Sequence, residues 1–390
     1  MFLYSPRKKF FVLGSPGVGK TTLIEYLFEF LKKYLSDFNF LGFITKEIRE
    51  SGERKGFKIK ILDSEEEYIL AKRKNFITSK EFKNKPSIGK YIVMIENLDK
   101  TIDILEKKAK KEKNNFFIID EIGKMEALSL KFCNFIENIL HSQNYLLATV
   151  GKGESLFLKN IRNFEPAFLC EVTKKNRNFL KNRLKLEFFR KGKLIVIEGI
   201  DGAGKTTFAK ALYESLKRKR IDCILSCEPT SGPFGKKIKE FLKKRNIDPQ
   251  KLRNAFLKDR LWHVENLLFP ALEKGKWIIL DRYYLSTLAY QSSQGLPFKE
   301  LLIENETIAP IPDLVIYLDL PLEIAFERID TRKERISIFE KENFLIKVVE
   351  VYKKYLKWFN YLIIDTTKSI EENLKDTLEF LNSKFKGSFS

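Results

Sequence analysis

Apolar residues along the chain fall into short runs rich in Val, Ile, Leu and Phe, and these alternate with longer stretches at helical spacing. The first such run is Phe10-Phe-Val-Leu13, which breaks at Gly14; Leu194-Ile-Val-Ile197 breaks the same way just before Gly199. Each reads as a buried strand. Leu23, Ile24, Leu27, Phe30 and Leu31 then predict a helix to about Leu35, and Phe208 to Arg218 predicts its counterpart. In the first half, Phe40 to Ile48 and Gly56 to Leu62 read as strands joined by a polar turn. The lysine-rich stretch from Lys72 to Lys90 reads as loop and edge strand, and Asn97 to Lys113 as helix. Strands at Asn115 to Asp120, Tyr145 to Val150 and Ala167 to Val172 follow, with helices at Leu128 to His141 and Lys175 to Lys191. In the second half, strands are expected at Asp222 to Ser226, Trp277 to Leu280, Leu314 to Leu320 and Tyr361 to Asp365. Helices are expected at Gly235 to Lys244 and Pro249 to Glu273, with an Arg-rich helical stretch after Leu320. Strands alternating with helices predict an α/β chain of two mostly parallel sheets, each covered by helices on both faces. The boundary is expected at Gly192, giving domains of residues 1–190 and 191–390.

Both glycine breaks open the pattern G-x-x-x-x-G-K-T. The first reads Gly14-Ser15-Pro16-Gly17-Val18-Gly19-Lys20-Thr21-Thr22. The second reads Gly199-Ile200-Asp201-Gly202-Ala203-Gly204-Lys205-Thr206-Thr207, 185 residues later (199 − 14). A loop of this kind wraps a polyphosphate with backbone N–H groups and a helix N-terminus. Lys20 and Lys205 are placed to reach the β/γ-phosphates, and the hydroxyls of Thr21 and Thr206 to bind Mg²⁺. Two P-loop modules in one chain are expected.

Ligands of open α/β sheets sit at the carboxyl ends of the strands. Each half ends one strand in an aspartate, Asp120 and Asp281, suited to holding hydrated Mg²⁺. The next residue differs. Glu121 is placed to position water and accept its proton, as hydrolysis of a nucleoside triphosphate requires. Arg282 suits an acceptor that is itself a phosphate, which needs no base but does need positive charge to bring two anions together. Arg328, Arg332 and Arg335 cluster on a segment able to close over the phosphates, and Asp201 can accept a hydrogen bond from a sugar hydroxyl.

Length, charge and cysteines narrow the setting. The 390 residues carry 72 Lys and Arg against 52 Asp and Glu, a formal net charge of +20. Many of the lysines interleave with glutamate on helical stretches. The excess therefore reads as a solvated surface around sites for anionic nucleotides in preference to a nucleic-acid interface. No stretch approaches the roughly 18 uncharged apolar residues of a transmembrane helix. The four cysteines (Cys133, Cys170, Cys223 and Cys227) form neither a disulfide framework nor a zinc-ligand pattern. A cytoplasmic protein is expected.

Residues from about 193 to 385 resemble the thymidylate kinases. The resemblance is carried by the phosphate loop (198–207), Glu228-Pro-Thr-Ser-Gly-Pro-Phe-Gly235, Asp259-Arg-Leu-Trp-His-Val264, Pro270-Ala-Leu-Glu-Lys-Gly275 and Asp281-Arg-Tyr-Tyr-Leu-Ser-Thr-Leu-Ala-Tyr-Gln291. It implies transfer of the ATP γ-phosphate to dTMP, and a homodimer. By position it implies that Phe256 stacks on thymine and Arg260 bonds its exocyclic oxygen. Asp201 would meet the 3′-hydroxyl, Arg282 the dTMP phosphate and Tyr290 the 2′ position. Ala203 stands where some members carry a loop arginine, which points to Arg332 and Arg335 for the catalytic charge. Cys227 stands where the family often has Arg. Residues from about 7 to 185 resemble the nucleoside-triphosphatases of the cancer-related NTPase family through 42–57, 88–91, Ile119-Asp-Glu-Ile-Gly-Lys-Met-Glu126 and Glu171-Val-Thr-Lys-Lys-Asn-Arg177. That implies hydrolysis of NTPs, with Arg49, Arg54 and Lys124 either meeting phosphates or forming structural ion pairs. Two other readings of the chain use the same motifs. One makes the first half a non-hydrolysing regulatory module, and the other makes the chain a nucleic-acid-dependent ATPase.

Overall fold

The computed structural model describes residues 7–76, 85–242, 248–330 and 338–385. The chain divides into two compact units, with the division between Lys185 and Leu186.

In the first unit, β1 (Lys9–Leu13) leads into α1 (Lys20–Tyr34). The long hairpin β2 (Asn39–Glu50) and β3 (Glu53–Ile61) continues into β4 (Glu67–Arg73), then β5 (Ser87–Ile88) and β6 (Tyr91–Val93). After α2 (Ile95–Ala109) come β7 (Asn115–Ile122), α3 (Leu130–His141), β8 (Tyr145–Val150), α4 (Leu156–Asn163), β9 (Phe168–Glu171) and α5 (Arg177–Phe188). The nine strands form one sheet in the order β5-β6-β4-β3-β2-β7-β8-β1-β9. Its strands β2, β7, β8, β1 and β9 are parallel; β3, β4, β6 and β5 extend it as antiparallel neighbours. The expected mostly parallel sheet is present, and the two strands read on either side of the polar turn are the antiparallel pair β2 and β3. Beyond them β4 runs into the start of the stretch read as loop and edge strand, with Leu70 and Ala71 buried and the strand paired between β3 and β6. Helix α4 has no counterpart in the sequence reading; its four apolar residues, three of them consecutive, lie within only eight residues and show no clear helical period.

The second unit is the regular one. Strands β10 (Lys193–Glu198), β11 (Cys223–Cys227), β12 (Trp277–Asp281), β13 (Leu314–Asp319) and β14 (Tyr361–Asp365) form an all-parallel sheet in the order β11-β12-β10-β13-β14. Its helices are α6 (Lys205–Arg218), α7 (Pro233–Phe241), α8 (Pro249–His263), α9 (Phe269–Glu273), α10 (Tyr284–Ser293), α11 (Phe298–Ile308), α12 (Leu322–Asp330), α13 (Ile338–Leu356) and α14 (Ile370–Lys384). The single helix expected over Pro249 to Glu273 is interrupted by a π-helical turn at Val264–Leu268, just before Pro270, whose ring cannot continue a regular ladder.

Both loop-bearing strands are paired on each side: β10 is the central strand of its sheet, and β1 lies between β8 and the edge strand β9. Phe10, Phe11 and Val12 are buried, as are all six residues of β10. Burying each such side chain contributes about 1.5–3 kcal/mol. The strands are thus rigid platforms for the loops that follow them. Among the described residues no helix is long and apolar enough to cross a membrane.

Candidate functional site: two phosphate loops with different neighbours

Each loop leaves its strand at a glycine that only glycine can occupy. Gly14 and Gly199 have φ of 152° and 145°, and an added Cβ would lie 2.6 Å from the Val172 carbonyl oxygen or 2.7 Å from that of Leu318. Both loops are thereby seated against the end of an adjacent strand. The helices α1 and α6 start with no side-chain cap, so their first N–H groups remain for an anion. Lys20 Nζ donates to the carbonyls of Gly14 (3.1 Å) and Ser15 (3.3 Å), and Lys205 Nζ to that of Ile200 (2.5 Å). Burial, aided by the nearby Arg282, lowers the Lys205 pKa to about 8.

In each half the loop threonine is hydrogen-bonded to the aspartate of the neighbouring strand. Thr21 Oγ1 donates to Asp120 Oδ2 at 2.6 Å, and Thr206 Oγ1 to Asp281 Oδ2 at 2.5 Å. The second carboxylate oxygens differ. Asp120 Oδ1 accepts from Thr149 Oγ1 at 2.6 Å, whereas Asp281 Oδ1 is buried without a partner among the described residues. An orphaned buried carboxylate oxygen beside a phosphate loop fits a Mg²⁺ site. Among the described residues no group of three or more His, Cys, Asp or Glu is arranged to hold a metal unaided, so such an ion would be shared with the nucleotide's phosphates.

In the first unit, Glu121 follows Asp120 at the end of β7 and brings Oε2 to 3.9 Å from Lys20 Nζ. Burial raises Asp120 to about 6. A residue not singled out from the sequence joins them. Glu126 is buried at 4% exposure, and burial together with the Glu121 charge raises its pKa to about 8. Glu121 Oε1 and Glu126 Oε2 both come within 2.8 Å of where a Gly123 Cβ would sit, so the two carboxyl groups face each other across that glycine. The short motif Asp120 to Glu126 hid this because a glutamate after Met125 looks like solvated helix start. Arg49 and Arg54 follow the ion-pair alternative: both pair with Glu47 at the β2–β3 tip. Lys124 is exposed beside Gly153.

In the second unit, Arg282 follows Asp281 in a left-handed conformation, φ 66°. Its guanidinium pairs with Asp201, donates to Ser286 Oγ at 3.1 Å and lies 5.5 Å from the Tyr290 ring centroid. Tyr290 donates its hydroxyl to Asp201 at 3.3 Å, so Asp201, Arg282 and Tyr290 form one cluster above the loop. Glu198 positions it from below. This fully buried carboxylate accepts from the backbone N–H of Tyr283 (2.9 Å) and Ser286 (3.1 Å), and from the Tyr352 hydroxyl (3.0 Å), capping α10 where Arg282 leaves β12. Burial raises its pKa. A buried glutamate closing β10 just before the phosphate-loop glycine has no signal in the apolar pattern itself.

Arg260 is brought to the same side but is 1% exposed. Its Nε and Nη2 donate to Glu228 Oε2 (2.9 and 2.7 Å), Nη2 also to Thr287 Oγ1 (3.0 Å), and Nη1 to Asn305. His263 completes the group through Glu228 Oε1 (3.0 Å) and Ser226 Oγ (2.8 Å). Burial opposes the Glu228 charge, but Arg260 and His263 outweigh it and hold its pKa below the usual carboxylate range. Phe256, one helical turn before Arg260 on α8, is half-buried with no ring partner among the described residues. Cys227 is exposed at the end of β11, in register with Asp281. Arg328 Nη1 donates to the Gly202 carbonyl at 3.0 Å, which sets α12 over the loop; Arg332 and Arg335 lie outside the described residues.

Comparison with known proteins assigns the two halves differently. The thymidylate kinase family model matches residues 197–377, and the NTPase family model matches residues 9–185. The thymidylate kinase of Akkermansia muciniphila is 39% identical over 197 residues, 50% of this chain and 94% of that protein. That of Desulfotalea psychrophila is 41% identical over 190 residues, 48% of this chain and 93% of its own length. A probable thymidylate kinase of Archaeoglobus fulgidus is 38% identical over 190 residues, covering 49% and 95%.

Proposed function

Because the chain belongs, through its C-terminal half, to the thymidylate kinase family, we propose that it is a bifunctional enzyme with two separate uses of nucleoside triphosphate. The C-terminal half transfers the γ-phosphate of ATP to dTMP, giving dTDP and ADP. The N-terminal half hydrolyses NTPs to NDP and phosphate. The observation that carries both assignments is the residue beside the strand-end aspartate. In one half it is Arg282, bound to Asp201 and Tyr290; in the other it is Glu121, 3.9 Å from the loop lysine.

In the kinase half, dTMP enters with its phosphate toward Arg282, its deoxyribose against Asp201 and Tyr290, and its base between Phe256 and Arg260. Glu228, Thr287 and Asn305 fix the Arg260 guanidinium, so its remaining N–H is held in direction rather than searching for the base oxygen. The acceptor oxygen is already ionised and attacks the γ-phosphorus directly. Lys205, and Arg332 and Arg335 in the arginine-rich segment after α12, offset the charge that develops on the transferring group. Bound Mg²⁺, held through Thr206 and Asp281, would add positive charge at the phosphates. In the N-terminal half Lys20 holds the terminal phosphates, and Glu121 orients a water and accepts its proton; Thr21 and Asp120 would hold Mg²⁺, which would add positive charge at the phosphates.

The test is NDP formation from ATP, with and without dTMP, by the intact chain and by Lys20→Ala, Glu121→Ala and Lys205→Ala. Loss of dTMP-dependent turnover only in Lys205→Ala, with loss of dTMP-independent hydrolysis in the other two, is the expected result. An intact chain without dTMP-independent hydrolysis would make the first half a binding module and refute the role given to Glu121.

A further inference from the structure

Helix α5 presents three cations at intervals of four residues, Arg177, Lys181 and Lys185, on the face that lies along α1. Lys181 Nζ sits 5.2 Å from the Tyr26 ring centroid; Lys185 Nζ sits 5.8 Å from Tyr26 and 5.6 Å from Phe30. Two of the three are therefore seated on aromatic faces of α1. Arg177 sits one turn earlier, at the level of the phosphate loop, and meets no ring among the described residues. Its Cδ and Nη1 come within 3.5 and 3.8 Å of where a Gly19 Cβ would lie. Its side chain is exposed, and its guanidinium has no hydrogen-bond or ion-pair partner among the described residues.

The position is held by the backbone. Val172 N–H donates to the Leu13 carbonyl (2.8 Å), which ties the end of β9 to the start of the phosphate loop. The turn between β9 and α5 is closed by a reciprocal pair: Thr173 N–H to Asn176 Oδ1 (2.8 Å) and Asn176 N–H to Thr173 Oγ1 (3.2 Å). Asn176 Nδ2 also donates to the Glu171 carbonyl (2.9 Å). Arg177 N–H then donates to the Thr173 carbonyl (3.2 Å) as α5 begins. The guanidinium is thus delivered to the loop by a fixed turn.

Sheet order decides which part of a nucleotide it would meet. Asp120 on β7 and Thr149 on β8 lie on one side of β1, and β9 with its turn lies on the other. Lys20, Thr21 and Asp120 mark the terminal-phosphate end of a bound triphosphate. The opposite flank receives the nucleoside. We propose that Arg177 forms a stacking platform for the base of the nucleotide held by the first phosphate loop. Its planar guanidinium takes from the ligand the aromatic face that Lys181 and Lys185 take from Tyr26 and Phe30. Every base has such a face, so the platform admits purine and pyrimidine triphosphates alike. The inference rests on the reading that this loop binds NTPs, and it extends that reading to how the base is accepted.

The test is calorimetric binding to the full-length chain of non-hydrolysable ATP and GTP analogues and of inorganic tripolyphosphate. The component belonging to the first loop is the one abolished by Lys20→Ala. Arg177→Ala is expected to weaken both analogues by on the order of tenfold and to leave tripolyphosphate unchanged. Arg177→Lys, which keeps the charge but not the plane, should not restore binding. A parallel loss of tripolyphosphate affinity, or full rescue by lysine, would reassign Arg177 to a phosphate; unchanged binding would make it a solvated residue. Absence of any Lys20-dependent component would overturn both readings. Binding that responds to Arg177 without hydrolysis would overturn only the hydrolytic one.

Discussion

Arg282 illustrates how much chemistry one side chain can concentrate. Its left-handed backbone is costly for a residue with a Cβ, and the conformation is maintained by β12 on one side and by the Glu198-capped start of α10 on the other. Arg282→Lys would keep the charge and lose the planar fork that spans Asp201 and Ser286. A fall in kcat/KM for dTMP of at least about a hundredfold is expected, with dTMP-independent hydrolysis unchanged in the same preparation. Glu126 makes a different prediction, one of stability against pH. Its folded pKa of about 8 lies above the ordinary value of 4.5. Between these two values the folded state holds a proton that the unfolded chain has lost, so stability attributable to this group is full below pH 4.5 and is lost as pH rises toward 8. The slope is at most about 1.4 kcal/mol per pH unit. Glu126→Gln should flatten that slope, as read by denaturant unfolding of the N-terminal unit at pH 6 and pH 8. Arg282 and Glu121 were legible because each follows a strand-end aspartate. Glu126, Glu198 and Thr149 were not, because their importance comes from burial and from partners distant in sequence.

The elements that carry the chemistry are the ones whose sequence pattern was strongest. Strands β8 and β14 begin and end where the apolar runs predict, and β1 and β10 run unbroken into their glycines. Strands β2 and β3 follow the hairpin read from the sequence, whereas β4 and β6 were not delimited there, because their pairing is set by register between strands and not by the period within each one. The segment between β11 and α7 shows the same dependence on tertiary context. Thr230 is bound through N–H and hydroxyl to Asp259 on α8 (2.8 and 2.6 Å), and Gly232 faces the Trp262 ring so closely that a Cβ would lie 2.6 Å from it. Gly232→Ala must therefore displace either the acceptor loop or the helix bearing Phe256 and Arg260. A destabilisation of about 1–3 kcal/mol should appear in thermal unfolding, together with a raised KM for dTMP and a smaller change in kcat.

At the scale of the molecule, two copies of one phosphate-binding device have been given different surroundings. The repeat itself was plain in the chain, since the loop motif recurs at a domain-sized interval. The way the metal-side aspartates are satisfied was not. Asp120 has both oxygens occupied by threonine hydroxyls, Thr21 and Thr149, whereas Asp281 keeps one oxygen without a partner among the described residues. A cation approaching Asp120 must compete with an existing hydrogen bond, and one approaching Asp281 need not. Titration of free Mg²⁺ at fixed ATP should therefore half-saturate dTMP-dependent turnover at a lower concentration than dTMP-independent hydrolysis, and Thr149→Val should draw the two curves together. Scarce magnesium would then direct ATP toward nucleotide synthesis and plentiful magnesium would let hydrolysis proceed beside it, making a single threonine hydroxyl the point at which ionic conditions apportion a shared fuel.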